Sequence, residues 1–449
     1  MTTTIIPSPI LVYPPTGSSK LPIIELNRAD VLEDRKRIRT RLNPEERTAQ
    51  NCSFGQFQDD LSFTAWEFFH AAKKTELMTT FTTSQIDRRA LTFADEHSDR
   101  FIWNTGNLRR VDRNIFCLED FTEAGLAGRF GEAVAYLTMV KWGYVYWDRV
   151  AVVWERAVAS PGMTHPEQLK EAHEIAQTLG VDRPDLEPDF AFEKTNGDIA
   201  LMEAKGSFVH PINDNPSTKG DLRHALKQLG AWSGRISPTP KNSFAIGTYF
   251  RDKSDSTGDP SLIAFVDQPE SDGNSQAASK SPPDDWIRRG NYGAWLAEMG
   301  FRTSGRALAE RRATETTPTE LGVINLGGHD YAFTIQGWRI DQSRLGMLPW
   351  YPFDVSMMPL RHQIHFLRRM GITGVYVAGL DVAVLRAVSA SLGNANAKAL
   401  MDLQPLTVEF GRSQPLDGFY GSVMPDGSMI GVISTRPLES DPRVEAFKL

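Results

Sequence analysis

Cysteine is nearly missing from these 449 residues, with only Cys52 and Cys117 present. Two thiols cannot build a disulfide framework or a cysteine-based zinc cluster, so both are expected as reduced core residues. Long apolar runs are lacking too. No stretch approaches the ~20 consecutive apolar residues of a membrane-spanning helix. Residues 1–15 lack the basic start, apolar segment and cleavage site of a secretory leader. The expectation is a cytoplasmic chain without a membrane partner. Nor is there an excess of positive charge: 49 Lys and Arg against 56 Asp and Glu give a net charge of −7. This argues against a protein that coats nucleic acid nonspecifically, because phosphate contacts need cations. It leaves room for a local basic groove beside clustered carboxylates. No internal repeat is visible.

What is present is globular in composition, 41% hydrophobic and 23% charged. The length exceeds one ordinary core and implies two to three domains. Residues 1–20, rich in Pro, Ser and Thr, read as an irregular arm, and 27–50 as a charge-dense solvated helix or linker. Apolar spacing predicts a helix over 64–77. A helix over 131–142, stopped by Gly143, carries Glu132 at its N-terminal end. Residues 144–154 read as a buried strand, and 166–179, with Pro166 in its first turn and Gly180 after its end, as a helix. Two strand-like runs flank Thr195-Asn196-Gly197, followed by a helix over 219–232 and strands over 243–249 and 262–267. That order suits a central mixed β-sheet flanked by helices. The run 268–283 is too polar to bury itself and reads as a linker. Beyond it come a helix over 284–299 with Trp286, Tyr292 and Trp295 as core residues, strands over 321–326 and 331–338, helices over 359–370 and 380–392, and a hairpin over 419–433 about Pro425-Asp426-Gly427. The domain reading is therefore 1–115, an N-terminal arm and helical region; 116–267, the core; 268–283, the linker; and 284–449, a C-terminal α/β domain for recognition or assembly.

The chemistry concentrates between Pro188 and Gly206. In an extended strand residues two apart share a face, so Glu203 and Lys205 project together while Ala204 points oppositely into the core. Whether Asp189 joins them depends on the turn. A two-residue Asn196-Gly197 loop sets Asp189 opposite Ala204; a three-residue Thr195-Asn196-Gly197 loop with a left-handed Gly197 sets it opposite Glu203. The three-residue loop is expected. Two carboxylates on one buried face are costly unless neutralised, which Mg²⁺ achieves with hard oxygen ligands. Asp189, Glu203 and the Ala204 carbonyl would hold the metal, with Glu132 binding directly or through water. Lys205 would orient the attacking water and offset charge on a phosphate.

Glu132, then Pro188-Asp189, then Glu203-Ala204-Lys205 resembles the PD-(D/E)XK nuclease superfamily, with the restriction-endonuclease-like fold. Gln228, on the helix after the lysine, belongs to the same likeness, which spans about 128–267. The resemblance implies metal-dependent cleavage of nucleic acid, with Asp189, Glu203 and Lys205 at its centre and Glu132 as accessory ligand. The expectation is an α/β chain with a restriction-endonuclease-like core, acting as a Mg²⁺-dependent deoxyribonuclease that accepts Mn²⁺, in bacterial restriction or antiphage defence. DNA would be the partner, with Lys219, Arg223, Lys227 and Gln228 along its groove, beside a possible protein partner or homodimer. The alternatives are a nuclease-fold binding or assembly protein without activity, and a resolvase or repair nuclease on branched or damaged DNA. His210 and His224 lack metal-ligand spacing and read as loop or surface residues. Arg361, His365, Arg368 and Arg369 read first as a solvated face, and Gly327-Gly328 lacks the context of a phosphate loop.

Overall fold

A computed structural model describes residues 17–32, 51–52, 55–76, 100–103, 106–111, 120–150, 188–209, 218–232, 240–254, 260–268, 285–340, 372–394, 398–406, 418–434 and 442–449. Outside them lie Cys117, the helix expected at 166–179, His210, residues 269–283 of the linker, and the 359–370 helix with its arginines. The side chains of Cys52 and Lys219 lie outside them too. The described chain is mixed α/β and divides into two units, one formed by Thr16–Glu76 with Asp99–Asn291, the other containing Tyr292–Leu449.

The first unit is built on a nine-stranded mixed sheet. In chain order its elements are β1 (Ser18–Leu26), α1 (Arg28–Leu32), β2 (Asn51–Cys52), β3 (Gly55–Thr64), α2 (Ala65–Glu76), β4 (Phe101–Ile102), β5 (Gly106–Asn107), β6 (Arg109–Arg110), α3 (Asp120–Lys141), β7 (Tyr144–Arg149), β8 (Phe190–Lys194), β9 (Ile199–Val209), α4 (Thr218–Trp232), β10 (Asn242–Arg251) and β11 (Leu262–Gln268). The sheet order is β2-β3-β1-β11-β10-β9-β8-β7, with β5 also on β1 and β4 paired with β6 apart from it. β9 runs parallel to β10 and antiparallel to β8, which is antiparallel to β7.

The N-terminal region departs from the helical expectation, because β1 and β3 are strands of this same sheet. Leu21, Ile23, Ile24 and Leu26 of β1 are buried, and Ile23, Ile24 and Glu25 pair in parallel with Ile263, Ala264 and Phe265. That ladder begins one residue beyond Pro22, which has no N–H to contribute. A proline and two charges within nine residues hide a central strand from its sequence. The helix expected at 64–77 is α2, begun by a capping box: Thr64 N donates to Glu67 Oε2 and Glu67 N to Thr64 Oγ1.

α3 is longer than its expected 131–142 and begins at Asp120, so Glu132 leaves it from the middle rather than from its N-terminal end. Gly125, Gly128 and Gly131 weaken helix propensity at its start and conceal it. Tertiary packing overrides that weakness, since Phe130, Ala133, Val134, Tyr136, Leu137 and Met139 are all buried. Each large side chain among them contributes roughly 1.5–3 kcal/mol. Gly143, at φ +85, ends the helix and turns the chain into β7.

α3 crosses β9 where both backbones carry glycine. A Cβ on Gly206 would stand 1.7 Å from the Ala127 carbonyl oxygen, and one on Gly131 2.6 Å from the Gly206 Cα. Phe130 against Phe208 and Tyr136 against Phe192 extend the contact, so the even-numbered residues of β8 and β9 face α3. The odd-numbered ones face the other side, where α4 packs, as the Lys205–Gln228 bond shows.

The second unit contains a six-stranded antiparallel sheet, its strands β12 (Pro318–Leu326), β13 (His329–Ile340), β14 (Ile372–Asp381), β15 (Phe419–Val423), β16 (Ser428–Ser434) and β17 (Arg443–Lys448), ordered β15-β16-β14-β13-β12-β17. Its core gathers Leu326, Tyr331, Phe333, Val377, Phe419, Met429 and Ile433. Trp295 Nε1 donates to the Gly379 carbonyl at 2.7 Å, so this tryptophan serves the core as expected. Gly327-Gly328 forms the β12–β13 turn.

Replacing Gly206 by Ala is expected to lift α3 off β9. The cost is about 1–3 kcal/mol or more, read as a lower urea midpoint with unchanged slope. An unchanged midpoint would show that the two backbones separate freely.

Candidate active site

The β8–β9 hairpin sets the geometry. Phe190 pairs with Met202, Ala191 with Leu201, Phe192 with Ala200 and Glu193 with Ile199, a register that brings Asp189 opposite Glu203. The loop has three residues: Lys194 N donates to the Asp198 carbonyl at 2.9 Å, Gly197 N donates to the Lys194 carbonyl at 3.0 Å, and Gly197 lies at φ +85. Only glycine takes that conformation at no steric cost. Arg288, fully buried, closes the loop from behind: its Nε donates to Glu193 Oε1 at 2.8 Å, its Nη2 to the Thr195 carbonyl at 3.2 Å, and its guanidinium lies 4.3 Å from the Tyr146 ring centre. Burial pushes the Glu193 carboxyl up to about 7, against the pull of Arg288.

At the open end of the hairpin Asp189 and Glu203 interlock. Asp189 N donates to Glu203 Oε2 at 2.9 Å, and Ala204 N donates to Asp189 Oδ2 at 2.9 Å. The N–H and C=O of one strand residue point to the same edge, so the Ala204 carbonyl also faces the Asp189 edge. Lys205 Nζ bonds Glu203 Oε1 at 2.5 Å and Gln228 Oε1 at 3.2 Å. The Glu203 side chain is 1% exposed. Burial pushes its carboxyl up to about 8, the Asp189 charge adds to the rise, and Lys205 opposes it.

Glu132 arrives from α3. Arg149, the last residue of β7, donates from Nη2 to Glu132 Oε2 at 3.2 Å and to the Thr75 carbonyl. Burial pushes the Glu132 carboxyl up to about 7; Arg149 pulls it down, and the charges of Asp189 and Glu76 raise it. Glu76 in turn pairs with Arg129 at 3.0 Å. Glu76, Glu132 and Glu203 thus each have a cation, whereas Asp189 has none among the described residues.

The structure therefore brings Asp189, Glu203, Ala204, Lys205 and Gln228 together and sets Glu132 within electrostatic reach of Asp189. Among the described residues no group of three or more His, Cys, Asp or Glu is gathered to hold a metal ion. Asp189 and Glu203 supply hard oxygen donors of the kind Mg²⁺ takes, and their mutual repulsion is what a dication relieves. Of the expected groove residues, Lys227 is exposed, Arg223 Nε donates to the Val31 carbonyl at 3.3 Å, and Gln228 is buried against Lys205. His224 is exposed on α4 and acts electrostatically on Asp221. Burial raises the Asp221 carboxyl, and Lys205 and His224 oppose that rise. Arg149, Glu76 and Asp221 were not among the expected site residues, and no local spacing signals them, because each meets the site only through the fold.

Compared with family models, curated proteins and solved structures, the chain matches none.

Arg288→Ala leaves Glu193 buried without its cation. It is expected to cost about 3–5 kcal/mol, less on acidification, where Glu193 takes up a proton; equal losses at acid and alkaline pH would contradict this. A second expectation concerns Glu203. Its folded value, about 8, lies above the ordinary 4.5, so between the two the folded state holds a proton that the unfolded state has released. Its contribution to stability is complete below 4.5 and is lost as the pH rises through about 8. In EDTA the melting temperature of wild type relative to Glu203→Gln should fall across that window. Added Mg²⁺ should restore it most at the alkaline end, where ligands are ionised. A difference that stays flat with pH would refute the burial of this carboxylate.

Proposed function

We propose that this protein is a divalent-metal-dependent endonuclease that hydrolyses phosphodiester bonds in DNA, with a restriction-endonuclease-like core and a role in restriction or antiphage defence. The observation that carries the reading is the Asp189–Glu203 pairing at the open end of the hairpin, with Lys205 on the same strand face. Asp189, Glu203, the Ala204 carbonyl and Glu132 would hold Mg²⁺ or Mn²⁺. When bound, such an ion supplies Lewis-acid polarisation of a phosphate and lowers the pKa of water.

The chain's own residues supply the rest. An ammonium has three N–H donors. Two at Lys205 Nζ serve Glu203 and Gln228, which leaves the third for a phosphate oxygen or the attacking water. The bond from Gln228 restricts the rotamers of a long side chain, so less ordering is needed when substrate arrives. Glu203, buried and paired with Lys205, is held at the Asp189 edge by the Asp189 amide.

Purified protein incubated with plasmid, single-stranded and branched DNA in Mg²⁺, Mn²⁺ or EDTA is expected to cut DNA only with metal. Lys205→Ala and Asp189→Ala should each lose roughly 100-fold or more. Preference for branched DNA would mark a resolvase or repair nuclease. DNA left uncut but bound would favour the binding or assembly reading. Cleavage in EDTA, or cleavage untouched by both substitutions, would refute the mechanism.

A further inference from the structure

We infer that Arg149 is a positioning residue that aims Glu132 at the Asp189 end of the sheet and acts on cleavage through it, an inference that rests on the nuclease reading above. Arg149 ends β7 beside the site: it pairs across the sheet with Phe190, and the next amide, Val150 N, donates to the Asp189 carbonyl at 3.3 Å. Its guanidinium lies 4.8 Å from the Phe190 ring centre. One terminal nitrogen serves both Glu132 Oε2 and the Thr75 carbonyl at the C-terminal end of α2, where the helix dipole is negative. Three elements, α2, α3 and β8, therefore fix this one side chain, which is 20% exposed.

The cost of the arrangement argues for a task beyond folding. Glu132 interrupts the buried apolar run of α3, between Phe130 and Ala133. A well-packed apolar pair in place of a largely buried ion pair is often neutral or stabilising. The Nε of Arg149 is moreover buried and donates to nothing among the described residues, a further cost that tight apolar packing would avoid. Glu132 also sits near two like charges, Asp189 and Glu76, which push its carboxylate away. Arg149 supplies the opposing attraction and sets where that carboxylate rests. It does not touch the phosphate; its effect runs through Glu132.

The test is a double-substitution cycle on plasmid cleavage at saturating Mg²⁺. Arg149→Gln is expected to lower kcat roughly 10- to 100-fold, as loss of an outer partner of a site carboxylate does, with KM for DNA unchanged. Arg149→Lys should recover part of the loss. In a Glu132→Gln background, Arg149→Gln should change kcat by less than about two-fold, because residues acting as a unit are not additive. Losses that multiply, or a rise in KM at constant kcat, would overturn the inference while leaving the nuclease reading intact. If Arg149→Gln fails to fold by circular dichroism, Arg149→Lys enters the same cycle with the same criterion. If wild type cuts no DNA, the nuclease reading fails, and Mn²⁺ affinity measured by calorimetry across the same four proteins decides. Weakening by Arg149→Gln only where Glu132 is present supports the positioning role, and equal weakening in both backgrounds, or no Mn²⁺ binding at all, overturns it.

Discussion

The register of the β8–β9 hairpin is the constraint on which the candidate site depends. Side chains alternate with a period of two, so one residue more or fewer in the loop would exchange the faces of one strand relative to the other and part Asp189 from Glu203. Gly197 at φ +85 supplies the extra residue, and Arg288 holds the Thr195 carbonyl and Glu193 in the resulting shape. The second unit uses the same loop: Met424 N donates to the Ser428 carbonyl and Gly427 N to the Met424 carbonyl, with Gly427 at φ +83. There the strands carry apolar residues of a core. Loop chemistry fixes the pairing, and the residues at the far end determine what the pairing means.

Electrostatics then separates the carboxylates. Burial favours protonation of Glu203 and Glu132, and the Asp189 charge adds to both. Lys205 and Arg149 oppose this from two sides of the sheet, one beside α4 and one beside α3. Cations on the outer carboxylates and none on Asp189 among the described residues leave the local negative charge concentrated at the strand end. Under the nuclease proposal, it is there that a dication would offset the charge.

Much of the hairpin was legible in sequence because its signals are local: Pro188, the Thr195-Asn196-Gly197 turn, and the apolar run before Glu203. The strands at 243–249 and 262–267 were legible for the same reason, with ends displaced by a residue or two. Two features were not. β1 is a central strand whose Lys20, Pro22 and Glu25 resemble an irregular arm, and only its pairing with β3 and β11, both distant in sequence, makes it a strand. The first three turns of α3 were hidden by Gly125, Gly128 and Gly131, which lower propensity, and of these Gly131 answers to a partner strand that no local window contains. Arg149 was missed on similar grounds, since its link to Glu132 spans 17 residues and its link to Thr75 spans 74.

The glycine crossing ties the two halves of the site together. Gly131 precedes Glu132 and Gly206 follows Lys205, so a tight approach of α3 to β9 falls beside two of the charged groups. Backbones in contact leave no side chain to yield between them, and a packed interior transmits small displacements rather than absorbing them. The separation of the α3 and β9 backbones beside Glu132 and Lys205 is therefore set by main-chain contact, and within that frame the Glu132 carboxylate is placed by its rotamer and by Arg149. Packing and chemistry make opposite demands on these positions, small residues for the crossing and long charged ones for the site. Adjacent residues on each element meet both, which is why the charged groups sit beside glycines that a helix or a strand would otherwise avoid.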